Sequence, residues 1–194
     1  AWVKNLSYAA CGAILLQAAL GGMTVLFKLP PPISIAHACL AQGVFCLIIA
    51  IAQASTPWYL QASPISAGSI YRAGLWCVGA VYLQLIFGAL VRHTGQGLSF
   101  HLLGAGAAAS LIAAAVYKTF RTFPYDAALT QPAGLLAGLL PVQLLLGLIA
   151  FQIRRSPITL GFGQTALLRT AHVAVGALVL GTSLVLTLRA RRLS

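Results

Sequence analysis

Long apolar stretches broken by short polar punctuation organise this chain. A membrane-spanning helix needs about 20 mostly apolar residues, and six such stretches fall at approximately 5–27, 33–53, 73–91, 98–117, 132–151 and 165–188. Helix breakers separate them: Pro30-Pro31-Pro32, Pro57 with Pro64, Gly95 with Gly97, Pro124 with Pro132, and Pro157 with Gly161 and Gly163. In lipid every backbone polar group must be satisfied within its own element, which points to helices. The alternating ten-residue segments of a β-barrel are missing. The pattern predicts an all-α transmembrane protein, a six-helix bundle.

Composition narrows this further. Hydrophobic residues make up 60% of the 194 and charged residues only 7%, against roughly 25% charged in a soluble domain. A water-facing surface could not be covered, and the hydrophobicity excludes disorder. Twelve Lys and Arg stand against a single acid, Asp126, for a formal charge of +11. These cations are dispersed around the apolar runs, which argues against a nucleic-acid partner and for topology determinants and interfacial anchors in a lipid bilayer.

With six spans both termini share one side, which receives the seven cations Lys4, Arg72, Lys118, Arg121, Arg189, Arg191 and Arg192. The other side receives five: Lys28, Arg92, Arg154, Arg155 and Arg169. That bias places both termini in the cytoplasm. The stretch from Lys118 to Asp126 reads as a solvated cytoplasmic loop, and Trp58, Tyr59, Tyr71 and Tyr125 as interfacial aromatics. The first span is too long for a secretory signal core and ends in no A-x-A-like site. One acid leaves no pair of carboxylates for acid–base catalysis or a hard-metal cage. Cys11, Cys39, Cys46 and Cys77 form no C-x-x-C pair and read as small buried hydrophobes.

A repeat runs through the spans. The first, third and fifth each carry Gln-x-x-[Leu/Phe]-Gly, as Gln17 to Gly21, Gln84 to Gly88 and Gln143 to Gly147. Gln and Gly four apart share one helix face, where a small residue admits a neighbour and the amide can bond across the contact. The second, fourth and sixth spans each carry a histidine within two turns of their start, followed four residues later by a small residue: His37 with Ala41, His101 with Ala105, and His172 with Gly176. The unit is a helical hairpin, and the three histidines are expected at similar depth on the non-cytoplasmic side.

An ionisable residue within a span is a functional candidate, although a lone histidine can equally be a hydrogen-bonded core residue. Imidazole binds zinc, copper and haem iron, and zinc usually recruits thiolate or carboxylate partners that are scarce here. The small residue at His+4 leaves space against the helix for a planar macrocycle, so bis-His haem b between antiparallel helices fits best. His101 and His172 could form one pair. His37 is then left over, and a fourth hairpin, before Ala1 or on another subunit, would complete a second pair. Arg92, beside His93 in a polar glycine-bearing turn, and Arg169, near His172, are candidate cations for haem propionates, or else snorkel to the headgroups.

The motifs resemble those of the haem A synthases. Gln17-x-x-Leu-Gly-Gly-Met-Thr-Val-Leu through Leu29-Pro30-Pro31 to Ala36-His37 is similar to that family's third and fourth helices. Gln84-x-x-Phe-Gly-Ala-Leu-Val-Arg-His-Thr-Gly-Gln-Gly-Leu-Ser, with His101 following, resembles the fifth and sixth. Gln143-x-x-Leu-Gly with Thr170-Ala171-His172 resembles the seventh and eighth. Family members have eight helices in two pseudo-symmetric four-helix halves and oxidise the methyl group of haem o to the formyl of haem a. The resemblance implies a helical hairpin over 1–55, a connecting loop over 56–72 and a complete four-helix haem-binding half over 73–194. It implies that His101 and His172 ligate haem b and that His37 belongs to the site of the substrate, haem o. The family's first two helices, with their Glu-x-x-His-Arg-like motif and catalytic carboxylate, have no counterpart here, and Leu102 stands where many members have Arg after the histidine.

These residues alone are therefore expected to bind haem b without turnover, in a bacterial plasma membrane. Expected partners are haem o, haem o synthase or an electron acceptor, and further copies of the chain. A bis-His haem carrier or electron-transfer protein is the alternative, and a helical transporter with incidental histidines the third reading.

Overall fold

Proline and glycine set where the helices begin and turn. In the computed structural model, which describes residues 2–155 and 161–194, helix α1 (Trp2–Leu26) ends where Lys28 and Leu29 both take positive φ, 56° and 62°. Helix α2 (Pro31–Ala54) then opens on two prolines, whose missing N–H groups cost nothing in a first turn. A short helix, α3 (Pro57–Gln61), is capped by the Thr56 hydroxyl accepting from the Tyr59 amide at 3.2 Å. Helices α4 (Gly68–Thr94) and α5 (Leu98–Thr122) are joined by a turn whose Gly95 and Gly97 sit at φ 76° and 79°. Only glycine enters that region without steric cost. Helices α6 (Ala127–Arg155) and α7 (Phe162–Arg192) complete the chain.

Six of these seven helices are long and apolar enough to cross a bilayer, and no strand occurs among the described residues. The helices outrun the apolar stretches that announced them. The stretch 56–72 is not all loop, since it holds α3 and the first turn of α4. Lys118 and Arg121 belong to α5 rather than to a loop, and Asp126 caps α6 by accepting from the Leu129 amide at 3.2 Å. Pro132 is not a breaker between spans but lies in the second turn of α6, with Pro141 further along the same helix. Pro157 falls outside the described residues. All four cysteines are free.

Helices α4, α5, α6 and α7 pack in a closed ring, each against the next and α7 against α4. Helix α2 lies outside this ring against α4 and α7, and α1 packs on α2. At the end of the molecule where the termini lie, α7 ties the parts together. Its Leu193 carbonyl accepts from Ile65 and Ala67, and Arg192 donates to the carbonyls of Tyr59 (2.6 Å) and Leu60 (3.3 Å) at the end of α3. Arg189 donates to Gln53 Oε1 (3.1 Å) and to the Ala128 carbonyl (3.2 Å), with its guanidinium 5.5 Å from the Trp58 ring centre. Ala128 is four residues before Pro132, which has no N–H to close the helical bond, so Arg189 supplies the missing donor.

The ring is filled at this terminal end. Ile70, Cys77 and Val81 of α4, Ala108, Ile112 and Ala115 of α5, Leu129 and Leu136 of α6, and Val179, Leu180 and Leu186 of α7 form one buried core. In the other half the residues are half-buried or exposed. No described residue of these four helices is buried after Val81 in α4, before Ala108 in α5, after Leu136 in α6 or before Gly176 in α7.

Candidate haem-binding site

The three glutamine–glycine–histidine hairpins fold the same way. In each, the glycine brings the neighbouring helix so close that a Cβ added to it would meet the imidazole edge. That distance is 3.0 Å from Gly21 to His37 Cε1, 3.2 Å from Gly88 to His101 Cε1 and 3.1 Å from Gly147 to His172 Cε1. The repeated glycine is thus a seat for the histidine of its own hairpin.

The glutamines reach the other way. Gln84 Nε2 lies 2.9 Å from His101 Nδ1 and 2.7 Å from the His101 carbonyl, and Gln17 Nε2 lies 3.4 Å from His37 Nε2. A Cβ on Gly176 would stand 3.1 Å from Gln143 Nε2, and one on Gly104 would stand 2.5 Å from Gln84 Oε1. In α5 and α7 the small residue after the histidine therefore makes room for the hairpin's own glutamine. In α5 that residue is Gly104, one position before the expected Ala105. Five buried polar atoms of these residues have no partner: Oε1 of Gln17, Gln84 and Gln143, and Nδ1 of His37 and His172.

Two of the three histidines meet. His101, in the first turn of α5, and His172, about three turns into α7 rather than within its first two, face each other from opposite corners of the ring. Their ring centres are 6.5 Å apart and their planes make an angle of 84°. His37 stays in its own hairpin, and no cluster of three metal-ligating side chains occurs among the described residues.

The spacing can be tested against a bis-imidazole iron. Two metal–nitrogen bonds of about 2.0 Å with ring radii of about 1.2 Å place collinear imidazole centres about 6.4 Å apart. An edge-to-face aromatic pair also spans 4.5–7 Å, so the distance alone suits both readings. Both imidazoles stand in the half of the ring where residues are half-buried or exposed, and each rests on the glycine of its own hairpin. A donor set of two facing imidazoles, with His172 Nδ1 unpartnered, fits a metal group held between them. Two open surface hollows lie elsewhere. One, of about 340 Å³, runs along α4 by Arg72, Leu75, Trp76 and Gly79, and the other, of about 190 Å³, lies between α6 and α7 near Arg189.

Both arginines singled out in the sequence lie at the histidine end of the ring. Arg92 and Arg169 are exposed there, and His93 is half-exposed. Arg154 Nη2 donates to the Gly95 carbonyl at 2.7 Å, and the Arg155 guanidinium stands 5.5 Å from the Phe151 ring centre. Nothing in the sequence separates Arg154 from its neighbour Arg155; only the fold brings it to the α4–α5 turn. Compared with protein-family models, with curated proteins and with solved structures, the chain matches none.

Proposed function

We propose that this chain is a haem A synthase-like membrane oxidoreductase, acting on the methyl group of haem o to give the formyl of haem a for cytochrome oxidase assembly. Haem b would be held by His101 and His172. The observation that carries the reading is the meeting of those two imidazoles, 6.5 Å apart, from opposite helices of a four-helix ring. The resemblance of the three hairpins to the family supplies the reaction.

A haem iron bound there supplies one-electron redox chemistry. The chain's own residues do the rest. Gly88 and Gly147 seat the two rings, and Gln84 orients His101. Arg92 and Arg169, exposed at the same end, offer charge for propionates. His37, on the separate α1–α2 hairpin with Gln17 beside it, is the candidate for the substrate side. The only carboxylate, Asp126, caps α6 at the far end and is out of reach of that step.

The bis-His geometry also favours a second reading. A haem held by both His101 and His172 would suit electron transfer better than substrate oxidation at the same metal. The chain would then be a haem b-binding electron-transfer or carrier protein. Purified protein titrated with haem b should give a Soret band that His101→Ala with His172→Ala abolishes. Incubation with haem o separates the readings: a hydroxylated or formyl haem product supports the synthase, and reversible reduction alone supports the carrier. A Soret band indifferent to both histidines would sink each of them.

A further inference from the structure

The two surface hollows are built differently. The larger is walled by residues of α4 alone. The smaller is walled by two helices, with Gln131, Pro132 and Leu135 of α6 opposite Thr182, Val185 and Arg189 of α7. The two helices run antiparallel, so Gln131 and Arg189 share its outer end, toward the termini, and Leu135 and Thr182 share its inner end. Seven residues separate Arg189 from Thr182, two helical turns or about 10 Å. The hollow is a short slot that runs from the terminal end toward the middle of the membrane.

Two of its groups lack the partners that such groups ordinarily have. Arg189 is half-buried, and its bonds go to neutral oxygens, Nε to Gln53 Oε1 and Nη1 to the Ala128 carbonyl. Its Nη2 bonds no described residue, and the one acid of the chain, Asp126, turns its Oδ1 to the Leu129 amide. Thr182 is 8% exposed. Thr119, Thr130 and Thr187 each turn their hydroxyl back onto a carbonyl of their own helix, the usual resort of threonine within a helix. The Thr182 hydroxyl makes no such bond and stands at the inner end of the slot. A buried hydroxyl without a partner is costly, so an acceptor from a ligand is favoured there.

A half-buried cation over an apolar slot calls for an anion that carries an apolar tail. We propose that the slot holds one anionic phospholipid. The phosphodiester accepts from Arg189 Nη2 with Gln131 beside it, a fatty ester carbonyl accepts from the Thr182 hydroxyl, and the acyl chain continues against Leu135. Basic pockets between membrane helices bind phospholipid headgroups on the same grounds. The assignment is independent of the haem reading, because Thr182 stands ten residues along α7 from His172, about 15 Å.

Native mass spectrometry tests this on the full chain, stripped of lipid in detergent and then given phosphatidylglycerol, phosphatidylcholine with the same acyl chains, or oleate. The wild-type chain should retain one phosphatidylglycerol about fivefold to tenfold more strongly than phosphatidylcholine, the preference that one cation confers. Arg189→Gln should erase that preference and Arg189→Lys should keep most of it. Thr182→Val should weaken phosphatidylglycerol about fivefold, and Leu135→Trp, which plugs the slot, should expel it. Arg121→Gln, at an exposed cation of α5 outside the slot, should change nothing. Equal retention of the two phospholipids, tighter retention of oleate, or a preference that survives Leu135→Trp would overturn the proposal. A preference lost as fully with Arg121 as with Arg189 would overturn it too, by assigning the lipid to surface charge at large. If Arg189→Gln fails to fold, Leu135→Trp and Thr182→Val still decide.

Discussion

Gly147 lies directly under the imidazole of His172, so that a Cβ there would come 3.1 Å from Cε1 and 3.7 Å from Nδ1. Gly147→Ala is expected to push His172 by a few tenths of an ångström and to destabilise by about 1–3 kcal/mol, the usual cost of overpacking. Gly79→Ala, on a face of α4 with no atom within 4 Å, is the control and carries only the helix-propensity gain of about 0.5–1 kcal/mol that both variants share. Thermal melts of the two variants in one detergent, with the Soret position after haem b loading, check both parts.

Separation of the hairpins gives a sharper expectation for the histidines. His37 packs against Gln17 and Gly21, while His101 and His172 form the close pair. His37→Ala should leave the haem b spectrum of the bundle unchanged, and either His101→Ala or His172→Ala should remove its bis-imidazole low-spin signature. A haem b signal lost with His37 alone would refute the pairing.

Arg189 answers a vacancy made by Pro132. Removing the guanidinium leaves the Ala128 carbonyl without a donor and strips Gln53 and Trp58 of their contacts. An unsatisfied buried group costs about 1–3 kcal/mol, and Arg189→Ala should lower stability by that order. Pro132→Ala restores an N–H four residues from Ala128, so the double variant should lose less than the single losses combined. Additive losses in denaturant or thermal unfolding would show that the arginine does not serve that carbonyl.

The α4–α5 turn offers a backbone test. Gly97 has φ 79° and a Cβ there would stand 2.9 Å from Leu90 Cδ2. Gly97→Ala should cost about 1–2 kcal/mol from the left-handed backbone alone, with the Leu90 contact in addition. Gly95→Asn should be milder, because asparagine tolerates that region and the nearest atom to a Cβ at Gly95 is Arg154 Nη2, at 3.7 Å. Melting temperatures measured side by side rank the two.

Much of the fold is legible in the sequence because lipid imposes one solution on an apolar run of bilayer length. The helix ends are not. Apolar runs measure the hydrocarbon, whereas Lys118, Arg121 and Arg189 keep helical backbone bonds beyond it. Pro132 reads as punctuation because its rescue by Arg189 comes from 57 positions away. At the site, residue types and spacing expose the Gln, Gly and His of each hairpin, since a polar residue recurring at one register in apolar helices is costly unless it bonds a partner. Which small residue faces which partner depends on the relative rotation of two helices. Sequence therefore points to Ala105 where the structure uses Gly104, and carries no sign of Arg154 at Gly95. Helix α3, five residues in a proline-bearing link, is too short for any periodicity to show.

The change from buried to half-buried or exposed residues falls at one depth in all four helices of the ring. The protein is in effect clamped where its termini lie and less covered at the opposite end. A guest held between His101 and His172 would act as a keystone there, adding contacts to the less covered half. Its binding would then be written into the protein's heat tolerance, about 2.7 kcal/mol at a free concentration one hundred times its dissociation constant. Without a guest the histidine end should breathe while the clamped end resists hydrogen exchange.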